Sequence, residues 1–129
     1  MQEKKLLYAN LTFKIRGILF KVHNKIGRYC SENQYCDLIE EYLNEAGLKY
    51  EREKILPKMF SSEKEGRNKV DFLIEDKIIL EIKAKRIITK EDYFQVQRYL
   101  SSLNLKLGIL VNFRSMYINP KRILNSSAT

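Results

Sequence analysis

The sequence contains few of the residues that build zinc sites and disulfides, with two cysteines and one histidine among 129 residues. A structural zinc site needs four such ligands, so this class of site is excluded. Cys30 and Cys36 are six residues apart, and on a helix this spacing turns them about 240° from each other. A local disulfide is therefore not expected, and a reducing cytoplasm is the expected compartment.

Long apolar runs are also missing, since no run approaches the roughly 18 residues that a membrane span requires. The first residues lack the apolar core and the small-residue cleavage site of a signal peptide. No repeat, low-complexity tract or interdomain linker interrupts the chain. We therefore expect a single domain over residues 1–129, with the polar end, 114–129, as a partly frayed tail.

The charge of the chain is strongly unbalanced, because 24 Lys and Arg residues against 16 Asp and Glu residues give a net charge of +8. Such a surplus favours a polyanionic partner, with nucleic acid as the first choice. Composition alone also allows a ribosome-associated protein or a protein of anionic membrane surfaces. An apolar fraction of 44% indicates a folded globule rather than a disordered chain.

Three stretches carry apolar residues at helical spacing: 11–26, 31–47 and 89–102. Gly27 follows the first stretch directly and is a suitable residue to end its helix. Ser31 with Gln34, and Thr89 with Asp92, have the spacing of capping boxes. These pairs predict where the second and third helices begin.

Three other stretches have the apolar patterns of strands: 49–60, a hairpin at 69–85, and 106–113. The last of them is almost continuously apolar, which suits a fully buried and possibly parallel strand. The order is helix, helix, strand, hairpin, helix, strand. This order predicts an α/β protein with a mixed sheet of about four strands flanked by helices.

Three ionisable residues of the hairpin stand where a packed sheet prefers apolar ones: Asp71, Glu81 and Lys83. Glu81 and Lys83 are two residues apart, so they lie on one face of a strand. Asp71 falls opposite Glu81 if Ile74 pairs with Ile78 across a three-residue turn. A two-residue turn would move Asp71 to the other face. We therefore expect an odd-length connection, or a bulge with the same effect.

Two carboxylates on adjacent strands offer a hard oxygen site for Mg²⁺, which takes few protein ligands and keeps several waters. A metal ion in such a site polarises a phosphoryl oxygen, and a neighbouring ammonium group can orient the attacking water. The trio therefore suits metal-assisted hydrolysis of phosphodiesters. The alternative interpretation is a solvated face on which the three charges pair weakly.

Two helices carry further candidates next to their apolar faces. Glu32 lies seven residues before Ile39 and extends the apolar stripe of the second helix. An acidic residue in a first turn complements the helix dipole, and the other interpretation is a third carboxylate for the metal site. Gln95 and Tyr99 are one turn apart on the third helix. They are either boundary residues or part of the site.

The hairpin residues resemble the PD-(D/E)XK nuclease superfamily, in which a hairpin carries the aspartate and then the E-x-K. Here these residues are Asp71, Glu81 and Lys83, and Val70 occupies the position often held by proline. Over residues 22–123 the chain resembles a narrower group, the GxxExxY proteins. The resemblance implies a restriction-endonuclease-like core.

The front motif of that group is matched by Glu32 and Tyr35, with Gly27 at the position of an upstream glycine. Tyr29 stands where the group has its signature glycine, three residues before the glutamate. Two later motifs also match, the Q-x-x-x-Y pair of RecB-like members and the G-L-L-x-N-F strand: Gln95, Tyr99 and residues 108–113.

The resemblance implies a Mg²⁺ or Mn²⁺ ion held by three carboxylates and one main-chain carbonyl: Asp71, Glu81, Glu32 and the carbonyl of Ile82. Lys83 would position the attacking water, while Gln95 and Tyr99 would orient the site or contact phosphate. Four basic residues would line the approach for phosphates: Lys25, Arg28, Lys85 and Arg86. Binding would then depend strongly on salt.

The function expected from these residues is that of a Mg²⁺-dependent nuclease that hydrolyses phosphodiester bonds. DNA is favoured over RNA because the sequence has no aromatic-rich RNA-reading motif. One alternative is a catalytically silent module that keeps the nuclease fold and binds nucleic acid or a partner protein. Another is a homodimeric endonuclease that resolves DNA junctions.

Overall fold

The computed structural model describes residues 6–128. Its elements, in chain order, are α1 Ala9–Ile26, α2 Glu32–Glu45, β1 Tyr50–Ile55, β2 Lys69–Ile74, β3 Ile78–Lys83, α3 Lys90–Leu103, β4 Leu107–Asn112 and β5 Lys121–Leu124. The strands form one sheet in the order β1-β2-β3-β4-β5. The predicted α/β class and the mixed sheet flanked by helices are confirmed.

The helix ends are set by local sequence. Both predicted capping boxes are present, with Ser31 accepting the N–H of Gln34 and Thr89 accepting the N–H of Asp92. Gly27 ends α1 with a positive φ of 76°, a conformation that costs glycine little. Within residues 6–128, no helix is both long enough and apolar enough to cross a membrane.

The β2–β3 hairpin has the predicted odd-length turn. Ile74 pairs with Ile78, and the three residues between them form the connection. Glu75 and Asp76 there have positive φ values of 54° and 56°, and the N–H of Lys77 donates to the carbonyl of Ile74 at 3.0 Å. The register that the hairpin site requires is therefore present.

The sheet is covered on both faces. Helices α1 and α2 pack on one face against apolar residues that include Phe72, Leu80 and Ile109. On the other face α3 packs against residues that include Ile79 and Leu110. Strands β3 and β4 are parallel, and α3 connects them. Burial on both sides explains why β3 and β4 are apolar almost throughout.

The end of the chain is more ordered than the expected frayed tail, and the sheet has one strand more than the expected number of about four. The sheet has five strands, because β5 pairs antiparallel with β4. Ile123 in β5 is fully buried, and Arg122 donates to the hydroxyl of Thr12 and to the carbonyl of Leu7. The polar end of the sequence concealed this short strand, whose stability comes from its partners. Residues 114–128 are folded, and Thr129 lies outside the described residues.

Candidate active site

Asp71 and Glu81 are tied to each other across the hairpin. The paired register of β2 and β3 ends at Phe72 and Leu80, and Asp71 and Glu81 are the next residues on the two strands. The N–H of Asp71 donates to Oε1 of Glu81 at 2.9 Å, and the N–H of Ile82 donates to Oδ2 of Asp71 at 2.7 Å. Each acidic side chain thus accepts a main-chain hydrogen bond from the neighbouring strand, and no group among residues 6–128 donates to its second carboxylate oxygen.

Both carboxyl groups are held in surroundings that disfavour their ionised form. Glu81 is only 4% exposed. Burial, and then the charge of Asp71, raise the pKa of Glu81 to about 8. The pKa of Asp71 is also raised, first by burial and then by the charge of Glu32, although the N–H of Ile82 lowers it. The positive charge near the acid pair therefore only partly offsets these effects, and a cation between the two carboxylates would complete the compensation.

Lys83 is the cation of the chain that lies beside this pair. Two residues after Glu81 on β3, its ammonium group lowers the pKa of both Asp71 and Glu81. It forms no salt bridge with any residue of the described chain. Lys83 is therefore close enough to act on the pair electrostatically without being fixed to either carboxylate.

Glu32 reaches the site from α2. It is the first residue of that helix, and its Oε2 accepts the N–H of Ala84 at 3.3 Å, one residue after β3 ends. Its charge raises the pKa of both Asp71 and Glu81. Yet no three His, Cys, Asp or Glu side chains among residues 6–128 are grouped closely enough to hold a metal ion. Glu32 thus lies beside the acid pair, and its role as a ligand stays a prediction.

The two α3 candidates differ in their surroundings. Tyr99 is buried, and burial followed by the charge of Glu81 raises the pKa of its hydroxyl, which places this residue near the acid pair. Gln95 is half-buried one turn earlier. Its side chain has no hydrogen-bond partner within the described residues. The catalytic roles of both residues stay predictions.

The four basic residues expected to contact phosphates are not equally free. Lys25 and Arg86 are exposed. Arg28 donates from Nε to the carbonyl of Arg114 at 2.8 Å. The other N–H groups of its guanidinium group are left to contact a phosphate. Lys85 forms a salt bridge with Asp92 at 2.6 Å, so its charge is already partly compensated.

Two residues near the site were not assigned a role from the sequence, although Asn112 lies in the matched strand motif at 108–113. Asn112 pairs with Lys83 across the β3–β4 ladder, and its side chain binds both main-chain groups of Lys85, at 3.0 Å and 2.6 Å. Cys36 is buried, and burial followed by the charge of Asp71 raises the pKa of its thiol to about 12. Its position one turn after Glu32 was the available signal for Cys36. Asn112 depends on a contact distant in sequence.

The donor set fits a hard divalent cation. Two adjacent carboxylates, each with an oxygen to spare, are the ligands that Mg²⁺ and Mn²⁺ prefer, and Mg²⁺ needs only one or two of them. The raised pKa values of Asp71 and Glu81 are the expected signature of such a pair without its cation. The soft ligand nearest the pair in the described part of the chain is the buried thiol of Cys36, whose raised pKa gives no preference for zinc.

The fold and the hairpin together define a restriction-endonuclease-like α/β protein. The model of the PD-(D/E)XK nuclease superfamily matches residues 9–123, which is most of the chain. The protein belongs to the PD-(D/E)XK nuclease superfamily, as its sequence motifs predicted. No curated protein and no solved structure matches the chain significantly. Membership supports a nuclease-type function in general.

Proposed function

We propose that this protein is a metal-dependent phosphodiesterase that cleaves DNA, and that the hairpin acids are the centre of its active site. The observation that carries this proposal is the acid pair itself. Asp71 and Glu81 accept hydrogen bonds from each other's strands, and both have pKa values above their ordinary ranges. A buried acid pair of this kind lowers the stability of the sheet, and a functional role explains why the chain carries it.

The residues that would hold Mg²⁺ or Mn²⁺ are the two carboxylates and one main-chain carbonyl: Asp71, Glu81 and the carbonyl of Ile82. Glu32 would assist from α2, because its carboxylate is fixed next to the end of β3. A divalent cation supplies Lewis-acid stabilisation of the negative charge that develops on the phosphoryl group.

The protein's own side chains are assigned to orienting the attacking water and the site and to balancing negative charge. Lys83 is assigned to orienting the attacking water and to balancing charge, because its ammonium group acts on both acids and is otherwise unpaired within the described chain. Tyr99 and Gln95 are assigned to orienting the site from α3. The spacing of Glu32 to Tyr35 supports the narrower likeness to the GxxExxY proteins, and that of Gln95 to Tyr99 matches the pair of RecB-like members.

DNA is the substrate that we infer from charge. The net charge of +8 favours phosphate binding over a neutral partner. Lys25 and Arg86 are exposed, and Arg28 lies just before the N-terminus of α2. The binding is expected to be structure-selective or nonspecific, since phosphate contacts carry no sequence information. We place the protein in the cytoplasm, and the free thiols of Cys30 and Cys36 are consistent with this.

The test is a cleavage assay on labelled linear duplex, single-stranded and four-way DNA and on RNA, with Mg²⁺, Mn²⁺ or EDTA. We expect Asp71→Asn and Glu81→Gln to abolish cleavage, and Lys83→Ala to lower the rate by about a hundredfold or more. Asp76→Asn, at the exposed turn of the same hairpin, is the matched control and retains activity. Cleavage that survives Asp71→Asn and Lys83→Ala together contradicts the site assignment.

The other outcomes separate the alternatives. Binding of nucleic acid without cleavage under any metal condition indicates a silent binding module. Preferential cleavage of four-way DNA by a protein that elutes as a dimer indicates a junction-resolving endonuclease. Cleavage of RNA in preference to DNA overturns the choice of substrate and leaves the site assignment intact.

A further inference from the structure

The loop between α1 and α2 presents an aromatic ring to solvent beside two guanidinium groups. Tyr29 is 75% exposed. The guanidinium carbon of Arg28 lies 5.1 Å from the centre of its ring, and that of Arg114 lies 5.7 Å from it. An exposed tyrosine with two cations at its ring is an arrangement that protein packing alone does not require.

This loop is held firmly by the residues around it. The hydroxyl of Tyr35 donates to the carbonyl of Gly27 at 2.6 Å and accepts the N–H of Cys30 at 3.2 Å. The ring of Tyr35 stacks on Phe113 with centroids 4.3 Å apart. Tyr29 is therefore presented from a fixed backbone, so little conformational entropy is lost when its ring binds a ligand.

The side chain of Arg114 contains a buried hydrogen-bond donor that residues 6–128 leave without a partner. Its Nε is buried and has no hydrogen-bond partner in the part of the chain that the structure describes. A buried donor without a partner costs free energy. The main-chain carbonyl of Arg114, by contrast, accepts from Nε of Arg28. The main-chain link fixes the two arginines relative to each other, while their guanidinium groups remain beside Tyr29.

The cluster lies at the same end of the sheet as the acid pair. Arg114 follows Asn112 by two residues, and Asn112 is the ladder partner of Lys83. On the other side, Tyr29 precedes Glu32 by three residues, and Glu32 binds the N–H of Ala84 directly after β3. The Tyr29 ring is thus linked to the site along two segments of the chain, one through Arg114 and Asn112 and the other through Glu32.

We propose that Tyr29, Arg28 and Arg114 form a stacking platform for an unpaired base, so that the preferred substrate is single-stranded nucleic acid or a duplex with an unpaired end. Every base has a face that stacks on an aromatic ring, and the guanidinium groups bind the adjoining phosphates. Inside a blunt duplex each base is covered on both faces by its neighbours, so the interior bases cannot stack on the ring. This inference rests on the proposed function and assigns its substrate class.

The test measures binding in EDTA, so that it does not depend on hydrolysis. Fluorescence anisotropy compares a short labelled DNA strand with a blunt duplex of the same sequence. We expect Tyr29→Ala to weaken single-strand binding by roughly tenfold and to leave duplex binding unchanged, while Tyr29→Phe keeps the ring and the affinity. Phe13→Ala is the control, because Phe13 is 80% exposed on α1 and lies about 20 Å along that helix from its C-terminal end.

A second measurement reports stacking directly. A strand that contains 2-aminopurine should lose fluorescence when the wild-type protein or Tyr29→Phe binds it, and should keep its fluorescence with Tyr29→Ala. The inference is overturned if Tyr29→Ala binds the single strand as the wild type does, or if it weakens duplex binding equally. It is also overturned if Phe13→Ala has the same effect as Tyr29→Ala. If the protein binds the single strand in a Tyr29-dependent way but cleaves no substrate, only the proposed function is overturned.

Discussion

Glu81 is the residue in which the conflict between folding and chemistry is sharpest. It belongs to β3, whose other residues are almost all apolar and buried, and it is itself 4% exposed. Its partner acid, Asp71, accepts the N–H of Ile82 and is close enough to raise its pKa. A sheet selected for stability alone would carry an apolar residue at position 81. The carboxyl group is therefore best explained by what it binds.

The pH dependence of stability tests this directly. In the metal-free folded protein the pKa of Glu81 is raised from 4.5 to about 8, so the folded state holds a proton that the unfolded chain has released. The free energy of unfolding therefore falls as the pH rises through this range, and levels off above it. We expect the wild-type protein in EDTA to melt at lower temperature at about pH 8.5 than at about pH 5.5.

Glu81→Gln is the variant that isolates this effect. It keeps a side-chain oxygen for the N–H of Asp71 and removes the titrating group. The melting temperature of the variant minus that of the wild type should be larger at about pH 8.5 than at about pH 5.5, because only the wild type loses stability when Glu81 ionises. An equal difference at both pH values would show that Glu81 does not titrate with a raised pKa.

At the scale of elements, the contact between α3 and β4 is unusually close. A Cβ atom at Gly108 would lie 2.7 Å from Cγ1 of Val96, whereas one at Gly17 in α1 would meet no atom within 4 Å. Glycine at 108 is thus required by packing, and the packing holds α3, with Tyr99, over the sheet. Glycine at 17 has no such reason.

Replacing glycine by alanine should change the free energy of unfolding in opposite directions at the two positions. We expect Gly108→Ala to lower the free energy of unfolding by about 1–3 kcal/mol, because α3 must move or Val96 must leave its position. Gly17→Ala should raise it by about 0.5–1 kcal/mol, because it removes a glycine from the middle of a helix. Denaturant unfolding measures both. Adding Val96→Ala to Gly108→Ala should restore part of the loss, and failure to do so would contradict the packing assignment.

The elements that depend on local sequence were predictable, and those that depend on distant partners were not. The capping boxes at Ser31 and Thr89 act within one turn of helix, so their spacing was sufficient. The hairpin register followed from the requirement that Asp71 face Glu81. Strand β5 is four residues long, and nothing within it distinguishes a strand from a loop. The bonds of Asn112 to Lys85 were likewise invisible, because they join residues 27 positions apart.

At the scale of the whole molecule, β5 completes the core on the α3 side. Ile123 belongs to the same cluster as Val96 and Leu100, and Arg122 ties β5 back to Thr12 of α1. The end of the chain therefore connects both layers of helices to the sheet. Since β4 is the neighbour of β3, this support extends to the strand that carries Glu81 and Lys83.

Two truncations distinguish a structural strand from a frayed tail. Removing residues 121–129 should abolish cooperative thermal unfolding, because it exposes the edge of β4 and removes Ile123 from the apolar core between α3 and the sheet. Removing only 126–129 should leave the melting temperature almost unchanged, since β5 and the side chain of Asn125, which donates to Leu105, are retained. Circular dichroism on both proteins provides the comparison. Cooperative unfolding of the shorter protein would show that β5 is dispensable.

The central claim is that Asp71 and Glu81 together hold a divalent cation. The most direct measurement is anomalous scattering from a crystal of this protein soaked in Mn²⁺, with an Asp71→Asn crystal treated identically. We expect a Mn²⁺ peak between the carboxylates of Asp71 and Glu81 in the wild type and its loss in the variant. A saturating soak with no peak at these two carboxylates, or a peak that persists in Asp71→Asn, would contradict it.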